Sequence, residues 1–199
     1  MSIISKYDRI SPIYDMMEAP VERFLFRKWW RAILSDLSGN VLEVGVGTGK
    51  NLEYYPKDCK VTAIDISPKM LEHAKKRAEG MDNISLMVMD AENLTFADDS
   101  FDYVITTFVL CSIPNPVAAL REMRRVCKPD GVVINLEHMR SSNWILTLLE
   151  NILNPISVFF MGVNVNRKTV ENIGKSGLEV IEEKHLAFKD VFRLVRSKP

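Results

Sequence analysis

Three acidic residues and one glycine loop carry the most chemistry in this sequence. The segment Val41-Leu42-Glu43-Val44-Gly45-Val46-Gly47-Thr48-Gly49-Lys50 runs a short β-branched stretch into three alternate glycines. Glycines at this spacing let the backbone turn sharply and let a ligand approach without a Cβ in the way. A P-loop would need glycine where Val44 stands and Ser or Thr where Asn51 stands. A dinucleotide loop would need its third glycine at Lys50, so the loop is poorly suited to a pyrophosphate. Glu43, two residues before the first glycine, would repel phosphate and suit a cationic ligand. Asp65 lies 18 residues after Gly47, at the end of a second strand-like run. A carboxylate there can accept from both hydroxyls of a ribose. Asp90 ends a third run, where it can accept from an exocyclic amine such as adenine N6.

Any one of these acids could be a helix cap or turn residue. At three successive strand ends, beside a GxGxG loop, they describe a site for an adenosine with a cationic, amino-acid-like tail. S-adenosylmethionine has that chemistry.

The elements that must position these groups alternate along the chain. Asn40–Gly45 reads as a strand, followed by the glycine turn and a helix opening near Asn51. Lys60–Ile66 is a second strand. Ser67 caps a helix with Pro68 at its first position, Met70, Leu71, Ala74 and Ala78 on one face, and Gly80 at its end. Ile84–Met89 and Phe101–Phe108 are further strands. A helix over 116–127, a Lys128–Gly131 turn and a fifth strand, Val132–Glu137, complete the pattern. Such alternation predicts an α/β, Rossmann-like, doubly wound parallel sheet. Helices over 144–154 and 167–175 and strands over 178–181 and 188–195 follow. One domain over 1–199 results: an N-terminal helical flap (1–39), a cofactor-binding core (40–140) and substrate-side helices with closing strands (141–199).

The 199 residues balance 26 Lys and Arg against 26 Asp and Glu, and 47% are hydrophobic. That composition excludes disorder and collagen-like repeats. Zero net charge removes the global positive field of a nucleic-acid binder, so no nucleic-acid partner is expected. Cys59, Cys111 and Cys127 form no CxxC pair and fit a reducing compartment, and no clustered metal-ligand set is apparent. Asp8 interrupts the start too early for a signal-peptide core. The richest apolar stretch, Trp144 to Val163, is broken by Glu150, Asn151, Asn154 and Pro155, which argues against a spanning helix. The expected location is cytoplasmic, with a peripheral position on the inner membrane face left open.

The motifs VLEVGVGTGKN, AIDISPKML, MDAENLTFADDSFDYV and LREMRRVCKPDGVVI together resemble those of class I S-adenosylmethionine-dependent methyltransferases, over about residues 40–137. The resemblance implies a seven-stranded sheet in the order 3-2-1-4-5-7-6 with strand 7 antiparallel. It implies that Glu43, Gly45 and Gly47 line the methionine portion, that Asp65 binds the ribose diol and that Ile66 touches adenine. Asp90 and Ala91 would hold the adenine edge, and Thr107 and Phe108 would flank the sulfonium. Thr48, Asn51, Met70 and Glu92 complete the implied cofactor set. The opening YDRISPIYD resembles ubiquinone/menaquinone C-methyltransferases and bacterial phospholipid N-methyltransferases. The stretches FVLCSIPNP, LEHM and GVNVNRKT resemble membrane-associated thiol methyltransferases.

For the acceptor, His138 follows the fifth strand and is either a general base or a group that caps the next turn. Tyr7 and Tyr14 either close over the cofactor and orient an acceptor or simply pack within the flap. His73 and His185 read as surface residues, and Cys111 as a packing residue. Residues 21–34 place Val21, Phe24, Leu25, Trp29 and Leu34 on one helix side. Arg23, Arg27, Lys28 and Arg31 against Glu22 leave a local charge of +3. That segment either lies on an anionic membrane surface or packs over the sheet. Trp144–Met161 is a second candidate wall, for an interface or for packing. These features favour a small hydrophobic or amphiphilic acceptor, with phospholipid amino headgroups ahead of quinone rings and thiols. A cofactor-binding regulatory protein without turnover is the non-enzymatic alternative. The oligomeric state is not fixed by the sequence.

Overall fold

A computed structural model describes residues 3–199, with the side chains of Ile13, Met17, Glu18, Pro20 and Val21 outside the described set. Helix α1 (Ile3–Val21) passes through a π-turn at Glu22–Phe26 into α2 (Arg27–Leu34). The sheet then begins with β1 (Asn40–Val44), β2 (Lys60–Asp65), α3 (Pro68–Arg77), β3 (Ile84–Val88) and β4 (Phe101–Thr107). It continues with α4 (Pro116–Val126), β5 (Cys127–His138), α5 (Trp144–Met161), α6 (Thr169–Ser176), β6 (Glu179–Ala187) and β7 (Phe192–Lys198). The seven strands are ordered β3-β2-β1-β4-β5-β7-β6. β1 through β5 pair in parallel, and β7 is antiparallel to both β5 and β6. This is the expected class I methyltransferase topology.

Period-two burial along β1 explains why the sheet is covered on both faces. Val41 enters one core with Trp30, Ile33 and Leu34, while Leu42 and Val44 enter the other with Leu120, Met123 and Ile173. Ser67 caps α3 by accepting from Met70 N at 3.2 Å, and Asn115 caps α4 by accepting from Ala118 N at 3.1 Å. Gly162, with φ +78°, ends α5 in the left-handed conformation.

Several boundaries differ from the sequence reading. No helix opens at Asn51. A single 3-10 turn, Leu52–Tyr54, takes its place, because Pro56 two residues on pushes Tyr55 to an extended conformation. The Lys128–Gly131 turn is instead part of β5, joined to β4 through a register irregularity between Phe101 and Tyr103. α5 continues through Pro155 to Met161. The missing amide of one proline removes one helical hydrogen bond, and the flanking turns carry the helix past it. The closing strands form a longer hairpin than expected, and Phe188 and Lys189 lie in its turn with φ of +48° and +62°.

The aromatic segment at 21–34 is packed inward. Phe26, Trp29, Trp30, Ile33 and Leu34 are buried, whereas Phe24 is exposed. Both tryptophans are therefore core residues and cannot sit at a membrane interface. Val21's side chain lies outside the described residues. Phe26 stacks on Phe108 with ring centroids 4.1 Å apart and touches Trp29, Trp30 and Phe192 at 5.7–6.2 Å. Phe26 thereby fixes the N-terminal helices to the end of β4. Phe26→Ala is expected to cost ~3 kcal/mol or more of unfolding free energy in urea titrations. A loss under about 1 kcal/mol would mean that this junction is loosely packed.

Candidate functional site

Parallel strands present their carboxyl ends on one edge, and here that edge carries the cavity. It is lined by Gly45, Gly47, Thr48 and Asn51 from the glycine loop, by Asp65, Ile66 and Met70 after β2, and by Asp90 and Ala91 after β3. Thr107 and Phe108 line it from β4, and Tyr7, Tyr14 and Trp30 from the N-terminal helices. The free space is about 960 Å³, the open mouth included.

Two glycines of the loop have distinct tasks. Gly45 has φ +75°, and a Cβ there would meet Val109 Cγ2 at 2.4 Å, so the loop and the end of β4 touch backbone to side chain. Gly47 has φ +57° and nothing within 4 Å of an added Cβ, so its backbone borders open space. That bare stretch is a cradle for a ligand's chain.

Asp65 shapes the loop as well as the cavity. Its Oδ2 accepts from Gly47 N and its Oδ1 from Ser67 N, both at 2.8 Å. Burial raises its pKa, opposed by these backbone donors. Each carboxylate oxygen has a second lone pair for a ribose hydroxyl. Asp90 faces the same cavity beyond Ile66 and Met70, with Oδ1 accepting from Glu92 N at 2.9 Å. Asp65 and Asp90, after two adjacent strands, face one cavity, as an adenosine lying across both strand ends requires.

Glu43 requires a correction: it does not line the cavity. Its side chain is wholly buried beneath the loop, and Oε1 accepts from Asn51 Nδ2. Asn51 in turn reaches Thr107 Oγ1 at 3.4 Å, and both line the cavity. Glu43 acts on the site through Asn51. Burial pushes its pKa up to about 7, with the Asn51 hydrogen bond pulling the other way. Besides Asn51, only the buried Tyr55 hydroxyl stands by the carboxyl, and it too lowers the pKa. A cationic ligand nearby would compensate this buried acid. The residues present fit S-adenosylmethionine, which carries a sulfonium and an ammonium on the chain that the Gly47 cradle would receive.

Glu92 also stands apart from the cavity. Its Oε1 accepts from Asn115 N at 2.8 Å and braces the entrance to α4. His138 is likewise not a cavity residue. It is enclosed near Phe192, donates to the Asn164 backbone carbonyl, and burial lowers its pKa to about 4. A neutral imidazole that binds protons so weakly is a poor general base at neutral pH. Tyr7 and Tyr14 do face the cavity, with ring centroids 6.3 Å apart. His185 is exposed on β6, His73 is half-buried, and Cys111 is buried, its thiol pushed far up by burial.

Three contributors were missed in the sequence. Lys50 lines the cavity and pairs with Glu22 at 2.8 Å and Asp15 at 3.5 Å. Its place in a GTGK string drew attention only to the failed P-loop. Trp30 forms part of the wall, and its indole N–H has no partner within the protein. Glu137, wholly buried, accepts from Val109 N at 3.1 Å and Leu110 N at 3.2 Å and holds the loop after β4. Burial lifts its pKa to about 7. It stabilises Phe108 in a left-handed conformation, φ +59°, uncommon for an aromatic residue. An acid facing inward from a central strand was the available signal.

The N-terminal helix is pinned over the site by charge. Asp15 accepts from Thr48 Oγ1 at 2.7 Å and pairs with Arg77, which also donates to the Thr48 carbonyl. Burial raises the Asp15 pKa, but Arg77, Thr48 and Lys50 outweigh it and the net shift is downward. Asp8 accepts from Ser67 Oγ at 2.6 Å.

Asp65→Ala is expected to weaken S-adenosylmethionine binding about tenfold or more in calorimetry, by removing a paired acceptor and two loop hydrogen bonds. Unchanged affinity would remove Asp65 from the site. Glu43 gives a pH effect. Its folded pKa lies above the ordinary 4.5, so its contribution to stability is complete below that value and is lost as pH rises through about 7. Glu43→Gln should therefore flatten the decline in the melting temperature of cofactor-free protein between pH 5 and 8. An unaltered slope would contradict the assignment.

Comparison with known proteins agrees with this geometry. Residues 42–135 match the family model described as a methyltransferase domain. A thiol S-methyltransferase of Homo sapiens is 31% identical over 200 residues, covering 94% of this chain and 80% of that protein. A phosphatidylethanolamine N-methyltransferase of Cereibacter sphaeroides is 39% identical over 118 residues, and the aligned part spans 58% of each chain. A demethylmenaquinone methyltransferase of Staphylococcus haemolyticus is 37% identical, covering 68% of this chain and 57% of that one. The chain thus spans somewhat more than half of two of these relatives. Among solved structures, an S-adenosylmethionine-dependent methyltransferase of Thermotoga maritima has a TM-score of 0.74 at 22% identity, over 98% of both chains. A geranyl diphosphate methyltransferase in complex with S-adenosylmethionine has a TM-score of 0.69 at 11% identity, over 86% of this chain and 83% of that one. With a methyltransferase relative 31% identical over 94% of the chain, and the family model on the strands that carry the site, the chain belongs to the class I S-adenosylmethionine-dependent methyltransferases.

Proposed function

We propose that the chain transfers the methyl group of S-adenosylmethionine to the amino headgroup of a phospholipid. The observation that carries this reading is the composition of the cavity wall. Tyr7, Tyr14, Trp30 and Phe108 line it, and no described lining residue is a histidine or cysteine. Aromatic faces attract ammonium groups, methylated ones included. An amine that has lost its proton to solvent attacks the sulfonium methyl through its own lone pair. The remaining work of the protein is alignment and exclusion of water. A quinol ring carbon must also shed a proton, and His138 is not placed to take it. The aminolipid methyltransferase among the relatives supports the same choice. The protein then works at the inner face of a cytoplasmic membrane, where aminolipid and cofactor meet.

A second reading is thiol methylation, favoured by the relative aligned over 94% of the chain. A thiol with an ordinary pKa near 8.5 also supplies its own nucleophile at neutral pH. A screen with methyl-labelled cofactor separates the two. Phosphatidylethanolamine vesicles, a demethylated quinol, small alkyl thiols and small amines would be the acceptors. Transfer to phosphatidylethanolamine above all others is expected. Transfer to thiols with none to the lipid would establish the second reading, and tight cofactor binding with no transfer would favour a regulatory role.

A further inference from the structure

Helix α5 is amphipathic the wrong way round. A surface helix normally turns its apolar stripe to the core and its polar stripe to water. In α5 the stripe facing the protein carries Thr147, Glu150, Asn154 and Ser157, at helical spacing, all half-buried or buried. Thr147 Oγ1 donates to the Ser141 carbonyl at 2.6 Å, and Glu150, the one charged residue of the helix, accepts from Ser141 N at 3.2 Å. The outward stripe holds nine large apolar residues, each between 51% and 74% exposed, from Trp144 at one end through Leu148 and Ile152 to Phe159 and Phe160 at the other.

We propose that this outward face docks on a lipid bilayer, with α5 lying along one leaflet. Three observations select a bilayer over a protein partner. The face has no charged side chain and no unpaired polar one, since Asn151 Oδ1 accepts from Asn166 Nδ2 at 2.9 Å. A protein interface needs a polar rim and directional hydrogen bonds, which lipid tails do not. An indole marks one end of the stripe and two phenyl rings the other, and aromatic rings favour the depth between headgroup and tail. The helix also abuts the wall of the cofactor cavity: Lys6 of α1, next in sequence to Tyr7, donates from Nζ to the Val158 carbonyl at 2.6 Å.

α5 has the length and composition to cross a membrane, but the chain around it does not allow this. Residues 162–167 double back along the helix. Arg140 N donates to the Arg167 carbonyl at 2.9 Å, Asn164 N to the Cys111 carbonyl at 2.9 Å, and Asn166 reaches the middle of the helix at Asn151. Both ends of the excursion are thus held on one side. Thr147 and Glu150 tie the polar stripe to Ser141, and the apolar stripe is left to enter lipid. The docking surface is α5 rather than the basic segment at 21–34, whose tryptophans are in the core.

Pure phosphatidylcholine vesicles test the docking face separately from the acceptor, because choline offers no amine to methylate. The full chain should co-sediment with them and remain bound in half-molar salt, since the contact is apolar and screening has little to act on. Trp144 is the exposed one of three tryptophans. Its emission should shift to the blue on vesicles, and Trp144→Phe should abolish the shift. The double variant Leu148→Glu with Ile152→Glu should lose vesicle binding more than about tenfold while keeping its cofactor affinity. Ile181→Glu, at an exposed apolar position on β6, should bind vesicles as the parent does. No sedimentation by the parent, release by salt, or equal losses in the α5 and Ile181 variants would overturn the proposal. So would a lipid-free dimer dispersed by the α5 variant, which would assign the face to a second copy.

Discussion

The Glu43 carboxyl is buried under the glycine loop, bonded through one oxygen to Asn51 and with only the buried Tyr55 hydroxyl beside it otherwise. A group in that position stays protonated or requires a cation close by, because burial of an uncompensated charge is costly. The site is arranged around the second solution. Asn51 turns toward Thr107 and the cavity, Gly47 leaves its backbone bare, and the cradle so formed is open to a positively charged chain. Asp65 and Asp90 on the next two strands then fix where a nucleoside must lie. Central placement of β1 in the parallel sheet makes the arrangement possible, since its neighbours end at the same edge.

The helices before the sheet complete the cavity by two different kinds of force. Charge pins α1, through Asp15 with Arg77 and Thr48 and through Asp8 with Ser67. Aromatic packing pins the π-turn and α2, through Phe26 on Phe108. The second contact reaches the chemistry, because Phe108 stands in a strained conformation at the cavity wall and Glu137 holds the amides that follow it. Strain of this kind persists only where the surroundings over-determine it.

Local pattern revealed most of the core. The β-branched runs, the Ser67 cap and the glycine spacing all act within a few residues, so their consequences could be read directly. Asp65 and Asp90 were legible for that reason, while Ile66, Met70 and Ala91 came only through the family resemblance. Glu43 was found, but its burial depended on Asn51 folding back over it, a tertiary event. His138 stayed open between a base and a cap because its surroundings, Asn164 and Phe192, come from distant segments. Lys50 and Trp30 were missed because their partners lie in the N-terminal helices. The inverted helix α5 was visible as an apolar stretch, yet which stripe faced out depended on contacts with Ser141 and Asn166. The shortened turn after the loop was available in Pro56.

Titration of S-adenosylmethionine into the protein at pH 7, in two buffers of different ionisation enthalpy, tests the central claim most directly. Micromolar binding accompanied by net proton release is expected, as the arriving cation draws Glu43, with its pKa of about 7, into the charged form. Glu43→Gln should bind without that release. Absence of binding by folded protein, or binding with no proton exchanged by the parent chain, would contradict the account.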